Sequence, residues 1–320
     1  MRFLISLIVL SAVTAHDGTA TTVAAHDGTA ATVAAQDAFP TSIGVIGVGT
    51  IGSALVRGVL AEPSLPTVPD IVLYDVNATK MDGLKKEFPN RNVTTAASGQ
   101  EVLGMASTIV LALPGSVAES VIKELSFKDG QQVISLVVAI KYPKLQTLLG
   151  PRVDAAMAVP LPAISKRQGA TLGIPPSPFA EALFASLGTY TAVTDVDAFT
   201  RLESASCFMG DLYKHQLTIQ QWLVSHEVDP SKAAAYVGAV FATMTVDSKD
   251  ATPGTFADLV ASQTPGGLNE MVWKQQEAAG VYLAVNNSLD AVFKRNNQSR
   301  ETSSDTLSDT LSETSRGRQD

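Results

Sequence analysis

The 320-residue chain is 45% hydrophobic, enough for packed cores in two domains, and its formal net charge of −8 argues against a nucleic-acid footprint. One cysteine, Cys207, rules out an internal disulfide framework and a cysteine-rich metal site; the four histidines lack ligand spacing, so no metal is expected. No internal apolar run reaches the roughly 18–20 residues that cross a bilayer.

Residues 1–15, MRFLISLIVLSAVTA, join a basic Arg2 to an apolar core from Phe3 to Leu10 and to small Val13 and Ala15, the pattern of a signal or targeting peptide. Residues 16–40 fall in a ten-residue repeat, AHDGTATTVA then AHDGTAATVA, decaying to AAQDAFP. This composition is that of a low-complexity linker with nothing to fill a core. The tail, residues 298–320, repeats ETSSDTLSDTLSET and is expected to be solvated and disordered.

From Ser42 the chain alternates strand and helix. The stretch SIGVIGVGTIGSALVRGVL opens with the branched residues Ile43, Val45 and Ile46, which suit a buried parallel strand. It turns through Gly47, Gly49, Thr50, Ile51 and Gly52, a G-x-G-x-x-G spacing, into a helix bearing Leu55, Val56, Val59 and Leu60 and stopping before Pro63. The first glycine permits the tight turn, the second lets backbone meet a pyrophosphate, and the third brings helix close to strand; unpaired N–H groups at the helix start favour the anion. A second strand, Ile71–Val76, ends near Asp75, 75 − 52 = 23 residues after the last glycine, close to the roughly 20-residue offset at which an acid takes a ribose hydroxyl. A helix at Lys80–Phe88, a strand at Val93–Thr95, a helix around Gln100–Met105 and a strand Thr108–Leu113 follow, with Pro114-Gly115 at the ligand-bearing carboxyl edge. Helix Val117–Leu125 and strand Gln132–Ile140 come next, then an extended or looped MAVPLPAI, a strand at Gly169–Ile174 and a helix at Ser177–Leu187. The fold class is therefore α/β, a doubly wound Rossmann nucleotide-binding domain over 41–190.

Residues 195–297 read as an all-α domain. One long helix is expected over Phe199–His226, then Lys232–Val246, Pro253–Ser262, a helix capped by Thr264 with Pro265 in its first turn and Gly280 past its end, and a last one over Val281–Arg295. So apolar a helical block is expected to form a subunit interface, making the protein a homodimer. Cys207 reads as a small core residue, and His215 and His226 as surface or interface residues.

Several of these segments resemble the pyrroline-5-carboxylate reductase family across about Ser42–Lys294. The glycine loop IGVIGVGTIGSALVRGVL is similar to that family's opening. STIVLALPGSVAESVIKEL is similar to the strand and helix carrying its Val-Lys-Pro, and VISLVVAIKYPKLQTLLG to its Ser-Ile-Ala-Ala-Gly segment. RLESASCFMGDLY sits where the family has Ser-Gly-Ser-Gly-Pro-Ala-Tyr, and Gln263-Thr264-Pro265-Gly266-Gly267 where it has Thr-Ser-Pro-Gly-Gly-Thr-Thr. The chain departs at the Met-Pro-Asn-Thr-Pro loop, here Met157-Ala158-Val159-Pro160-Leu161-Pro162. Leu113 replaces the lysine, and Leu268 and Asn269 replace the two threonines.

The resemblance implies an NAD(P)H-dependent reductase of a cyclic imino acid, of the proline-biosynthesis type. Gly47, Gly49, Thr50, Ile51, Gly52, Asp75, Asn77, Leu113 and Pro114 would hold the cofactor, and Thr264, Gly266, Gly267 and Asn269 would form the reacting end. Free backbone N–H groups at the Pro265-Gly266-Gly267 helix start suit a substrate carboxylate, and the Asn269 amide the nitrogen of the reacting bond. Asp75 should repel a 2′-phosphate, favouring NADH, although Asn77, Thr79 and Lys80 could cradle one. Two alternatives stand beside this: a β-hydroxyacid-dehydrogenase-type enzyme using Lys214, whose usual asparagine partner is replaced by Leu217, and a non-catalytic NAD(P)-binding dimer. The leader and the sequon Asn77-Ala78-Thr79 pull localisation two ways, toward an organelle (plastid included) or the secretory route. No nucleic acid, and no membrane in the mature chain, is expected as a partner.

Overall fold

The computed structural model describes residues 39–61 and 68–297; the leader, the repeat, the helix stop at Pro63 and the tail lie outside the described residues. An eight-stranded sheet organises the first half: β1 (Ser42–Ile46), β2 (Asp70–Tyr74), β3 (Val93–Thr95), β4 (Thr108–Leu111), β5 (Gln132–Ser135), β6 (Asp154–Pro160), β7 (Gly169–Ile174) and β8 (Gly188–Ala192). Their spatial order is β3-β2-β1-β4-β5-β6-β7-β8, parallel throughout except between β6 and β7. Order reverses between β1 and β4, which opens a crevice beyond their carboxyl ends.

Helices α1 (Thr50–Leu60), α2 (Ala78–Glu87), α3 (Gly99–Met105), α4 (Gly115–Glu124), α5 (Tyr142–Leu149) and α6 (Pro178–Ala185) alternate with the strands. Because both faces are covered, β4 is buried along its whole length and β1 along all but its first residue, which explains why Ile43, Val45 and Ile46 in β1 and Ile109, Val110 and Leu111 in β4 are branched and apolar. One core gathers Ile43, Val45, Leu55, Leu73, Phe179 and Phe184; the other gathers Ile46, Ile109, Leu111, Val133, Met157 and Phe199.

Among the described residues, the second half contains helices only. They are α7 (Val196–Ser206), α8 (Met209–Ser225), α9 (Pro230–Met244), α10 (Thr255–Ala261), α11 (Leu268–Ala278) and α12, residues 281–297. The expected single helix over Phe199–His226 is in fact two, α7 and α8. In α7 the Thr200 and Ser204 hydroxyls donate to the Val196 and Thr200 carbonyls, each at 2.9 Å. Such back-bonding bends a helix, and Cys207 and Phe208 then bond three residues back, to Ser204 and Ala205. Cys207, expected in a core, lies exposed at this junction.

Strand β5 stops at Ser135 rather than Ile140, because Ile140 closes a turn onto Val137. Tyr142–Leu149 forms a helix not foreseen, started by Pro143 in its first turn. MAVP is extended, as one of the two expectations had it, and ends strand β6, while Pro162–Lys166 forms a 3-10 turn that reverses the chain into antiparallel β7. The edge strand β8 was not foreseen either. Its glycine start, threonines and half-exposed alternation give it little apolar signal.

Candidate functional site

The glycine loop stands at the mouth of the β1/β4 crevice. Gly47 has φ +103°, and its N–H donates to the Tyr74 carbonyl at 2.8 Å; a Cβ there would lie 2.4 Å from the Ala112 carbonyl oxygen. At Gly52 a Cβ would come within 2.1 Å of the Gly47 carbonyl oxygen, so helix α1 can approach its own loop only without a side chain. Gly49 differs. Nothing lies within 4 Å of where its Cβ would stand, and it forms the extended N-cap of α1. The protein itself does not require a glycine there. The open position beside the unpaired N–H groups of the α1 start, with Thr50 exposed and Ile51 half-buried, is what a diphosphate would need.

Asp75, just past β2, has a role the sequence did not reveal. One carboxylate oxygen accepts the Val48 N–H at 2.7 Å, and the other accepts the Asn77 N–H at 2.8 Å. Its side chain is only 9% exposed, with the Lys80 ammonium at 3.7 Å. Asp75 thus clamps the glycine loop to the β2–α2 junction, and its remaining lone pairs stay available to a hydroxyl. Asn77 caps α2 by accepting the Thr79 N–H at 3.1 Å, and Val76 beside it is 93% exposed. Leu113 and Pro114 follow the end of β4 on the same crevice. Leu113 is half-buried, and Pro114 is the exposed N-cap of α4. These residues meet at one edge of the sheet, and the open backbone at Gly49 fits a dinucleotide.

Residues 263–270 correct the expectation. Thr264 does not cap a helix: Thr264, Pro265, Gly266 and Gly267 form a turn closed by the Gly267 N–H on the Thr264 carbonyl at 2.9 Å, with Gly266 at φ +73°. Proline then glycine at the two central positions dictates a type II turn, whose left-handed residue cannot begin a helix. Helix α11 therefore starts at Leu268, with Gly267 as N-cap. The Gly266 and Gly267 N–H groups expected for a substrate carboxylate are spent. Gly266 donates to Glu270 Oε2 at 2.7 Å, and Glu270 also holds Lys274 at 2.7 Å. The Lys274 ammonium, aided by the Gly266 N–H, keeps the Glu270 carboxyl below its usual range.

Glu270 was missed, yet a Glu at the third position of a helix is a legible sign of a carboxylate folding back onto the preceding backbone. The unpaired donors shift to the first turn of α11. The Asn269 amide nitrogen donates to Gln263 Oε1 at 3.0 Å, leaving its oxygen free to accept. Among the described residues no hydrogen bond or ion pair joins 263–270 to the glycine loop, so one chain does not bring its two expected half-sites into contact.

Lys214 is exposed on α8 and makes no ion pair among the described residues. His215 pairs with Asp211 one turn back at 3.3 Å, and His226 folds onto Trp222; both are exposed. No cluster of metal-ligating side chains occurs among the described residues.

Residues 42–139, the strands and helices around the crevice, match the family described as NADP oxidoreductase, coenzyme F420-dependent. Pyrroline-5-carboxylate reductase 3 of Danio rerio is 24% identical over 230 residues, 71% of this chain and 72% of that protein. A pyrroline-5-carboxylate reductase from Coxiella burnetii superposes with a TM-score of 0.67 at 20% identity, covering 81% of this chain and 98% of its own. The Plasmodium falciparum pyrroline carboxylate reductase with NADP bound gives 0.66 at 16%, covering 81% and 98%. In sequence and in fold, the chain is thus similar to pyrroline-5-carboxylate reductases.

Proposed function

We propose that this protein is an NAD(P)H-dependent reductase of the C=N bond of a small cyclic imine, with a cyclic imino acid as its reference substrate. The observation that carries this is the glycine loop. Two of its glycines are demanded by the fold, while the third, Gly49, is left open at the crevice where a dinucleotide fits. A bound nicotinamide supplies the hydride. The chain's own groups bind and orient: the Gly47–Gly52 backbone and the α1 start receive the diphosphate, and Asp75 and Asn77 take the ribose side. Leu113 and Pro114 line the rim. Asn269 orients the imine nitrogen by hydrogen bonding, since an imine nitrogen is basic enough to carry its own proton. The closely held Asp75 carboxylate disfavours a 2′-phosphate, so NADH is the preferred cofactor.

The helical half supports a dimer. Helices α8, α10 and α11 bury no residue in the single chain, while Trp222, Tyr236, Met244 and Leu268 stand exposed on this half. Apolar surface of this extent is what a second copy covers. Each crevice is then completed by helices across the seam, which exclude water from it. The test is consumption of NADH and NADPH with pyrroline-5-carboxylate and with cyclic imines lacking its carboxylate, beside sedimentation of the same sample. Tight cofactor binding with no imine consumed would sink the reductase in favour of a non-catalytic binder. A tenfold preference for NADPH would overturn the cofactor assignment.

A further inference from the structure

The one strongly buried ion pair among the described residues lies outside the site discussed above. Lys141 Nζ stands 2.9 Å from Glu203 Oε2, with the two side chains 13% and 8% exposed. Lys141 is the N-cap of α5, and Glu203 lies in the last turn of α7. Each charge therefore faces the end of its own helix that repels it, a cation at an N-terminus and an anion at a C-terminus. Neither side chain makes another ion pair or side-chain hydrogen bond among the described residues. Both are desolvated, so each depends on the other alone. Such a pair is a poor device for stability, which makes its location informative.

Lys141 ends the segment 136–141 that leaves β5 along the crevice edge. That segment is tied to β4 by the Leu136 N–H on the Leu111 carbonyl at 2.8 Å, and its Ala139 presses on Gly115, where an added Cβ would lie 2.7 Å away. Val138 and Ala139 are exposed on this rim, beside Leu113 and Pro114. Glu203 belongs to the first helix of the all-helical half, next to Ser204 and on the element that packs against β7. The pair thus spans the joint between the crevice rim and the first helix of the all-helical half, whose later residues 263–270 form the expected reacting end.

We propose that Lys141 and Glu203 are positioning residues, which hold the 136–141 rim and the end of α7 in one fixed spacing so that cofactor and substrate meet. This rests on the reductase assignment above, and its test separates the two. The whole protein would carry Lys141→Met, Glu203→Gln, or the exchanged pair Lys141→Glu with Glu203→Lys, which keeps the attraction and turns both charges to agree with their helix ends. Cofactor dissociation constants, steady-state kinetics on the imine panel, and amide exchange are measured on each.

The single variants should bind cofactor within about threefold of the wild type while kcat falls about 10–100-fold, the loss a misplaced reactant causes. Exchange should quicken together at residues 136–141 and 200–207, and the exchanged pair should recover both the protection and most of kcat. Singles that keep kcat, or whose exchange quickens only at the substituted segment, overturn the proposal. An exchanged pair with restored protection but no turnover also overturns it, because Lys141 would then be doing chemistry rather than holding position. If the singles do not fold, the exchanged pair alone decides. If the wild type reduces no imine, the reductase assignment fails, and the coupled exchange still tests the joint.

Discussion

The two halves of this protein solve the burial problem in opposite ways. The sheet half hides its apolar residues between its own layers: its exposed large apolar side chains are Val76, Met105, Val117 and Val138. Of the 23 such exposed residues among those described, the other 19 lie from Leu202 onward, in the helical half. A doubly wound sheet closes both faces with helices from its own chain, whereas amphipathic helices strung on short turns leave stripes uncovered. The first half thus hides its apolar residues within one chain, and the second leaves an apolar surface that a second copy would cover on the dimer proposed. On the function proposed, the first binds the cofactor and the second brings the substrate.

Asn269 tests that division most strongly. Asn269→Ala should lower kcat by about 10²–10³, the usual cost of losing one aligned hydrogen-bonding partner in a dry site, while cofactor affinity stays unchanged. Steady-state kinetics with separate cofactor titration reads this. An unchanged kcat would remove Asn269 from the mechanism and return weight to Lys214.

Within the sheet half, the glycines should separate fold from ligand. Gly52→Ala, whose Cβ would come 2.1 Å from the Gly47 carbonyl oxygen, should cost about 1–3 kcal/mol of stability in thermal or denaturant unfolding, along with cofactor binding. Gly49→Ala should leave stability within ~0.5 kcal/mol, since it touches nothing. It should still weaken cofactor binding about tenfold, or ~1.4 kcal/mol. Wild-type affinity in Gly49→Ala would mean the diphosphate lies elsewhere.

The helical half is challenged by charge on α9. Tyr236 is 69% and Met244 65% exposed, so Tyr236→Glu with Met244→Asp should cost the single chain little. If a partner covers them, the dimer dissociation constant should rise at least about tenfold, seen as a concentration-dependent shift in sedimentation. A wild-type monomer at all concentrations would end the comparison.

The smallest effect concerns pH. Burial, with Glu181 nearby, pushes the Tyr190 hydroxyl up to about 12, from an ordinary value of 10.0. The folded state then holds a proton that the unfolded chain releases. The resulting stability is complete below pH 10.0 and is lost as pH rises toward about 12. Tyr190→Phe should remove this alkaline loss in melting experiments. It should cost little at neutral pH, because the buried hydroxyl has no hydrogen-bond partner among the described residues.

How much was legible follows the same division. The β1–turn–α1 unit declared itself, because a buried parallel strand needs an unbroken apolar run and the turn admits only glycine at Gly47 and Gly52. Asp75 stood out as a candidate ribose ligand by its spacing, but its clamp on Val48 was not legible, since that bond links residues 27 apart. At Thr264–Gly267 the local signals competed: threonine then proline imitates a helix start, and the type II turn that Pro265-Gly266 demands delayed the helix to Leu268.

The sequence by itself determined the alternation of strands and helices from β1 to β5, the place of the glycine loop and the change from sheet to helices near residue 195, because periodicity and turn chemistry are local. Only the tertiary structure decided the antiparallel β6–β7 pairing, the edge strand β8, the break between α7 and α8 and the Lys141–Glu203 joint. Each depends on partners brought together from far along the chain, and local propensity carries no record of a neighbour 62 residues away.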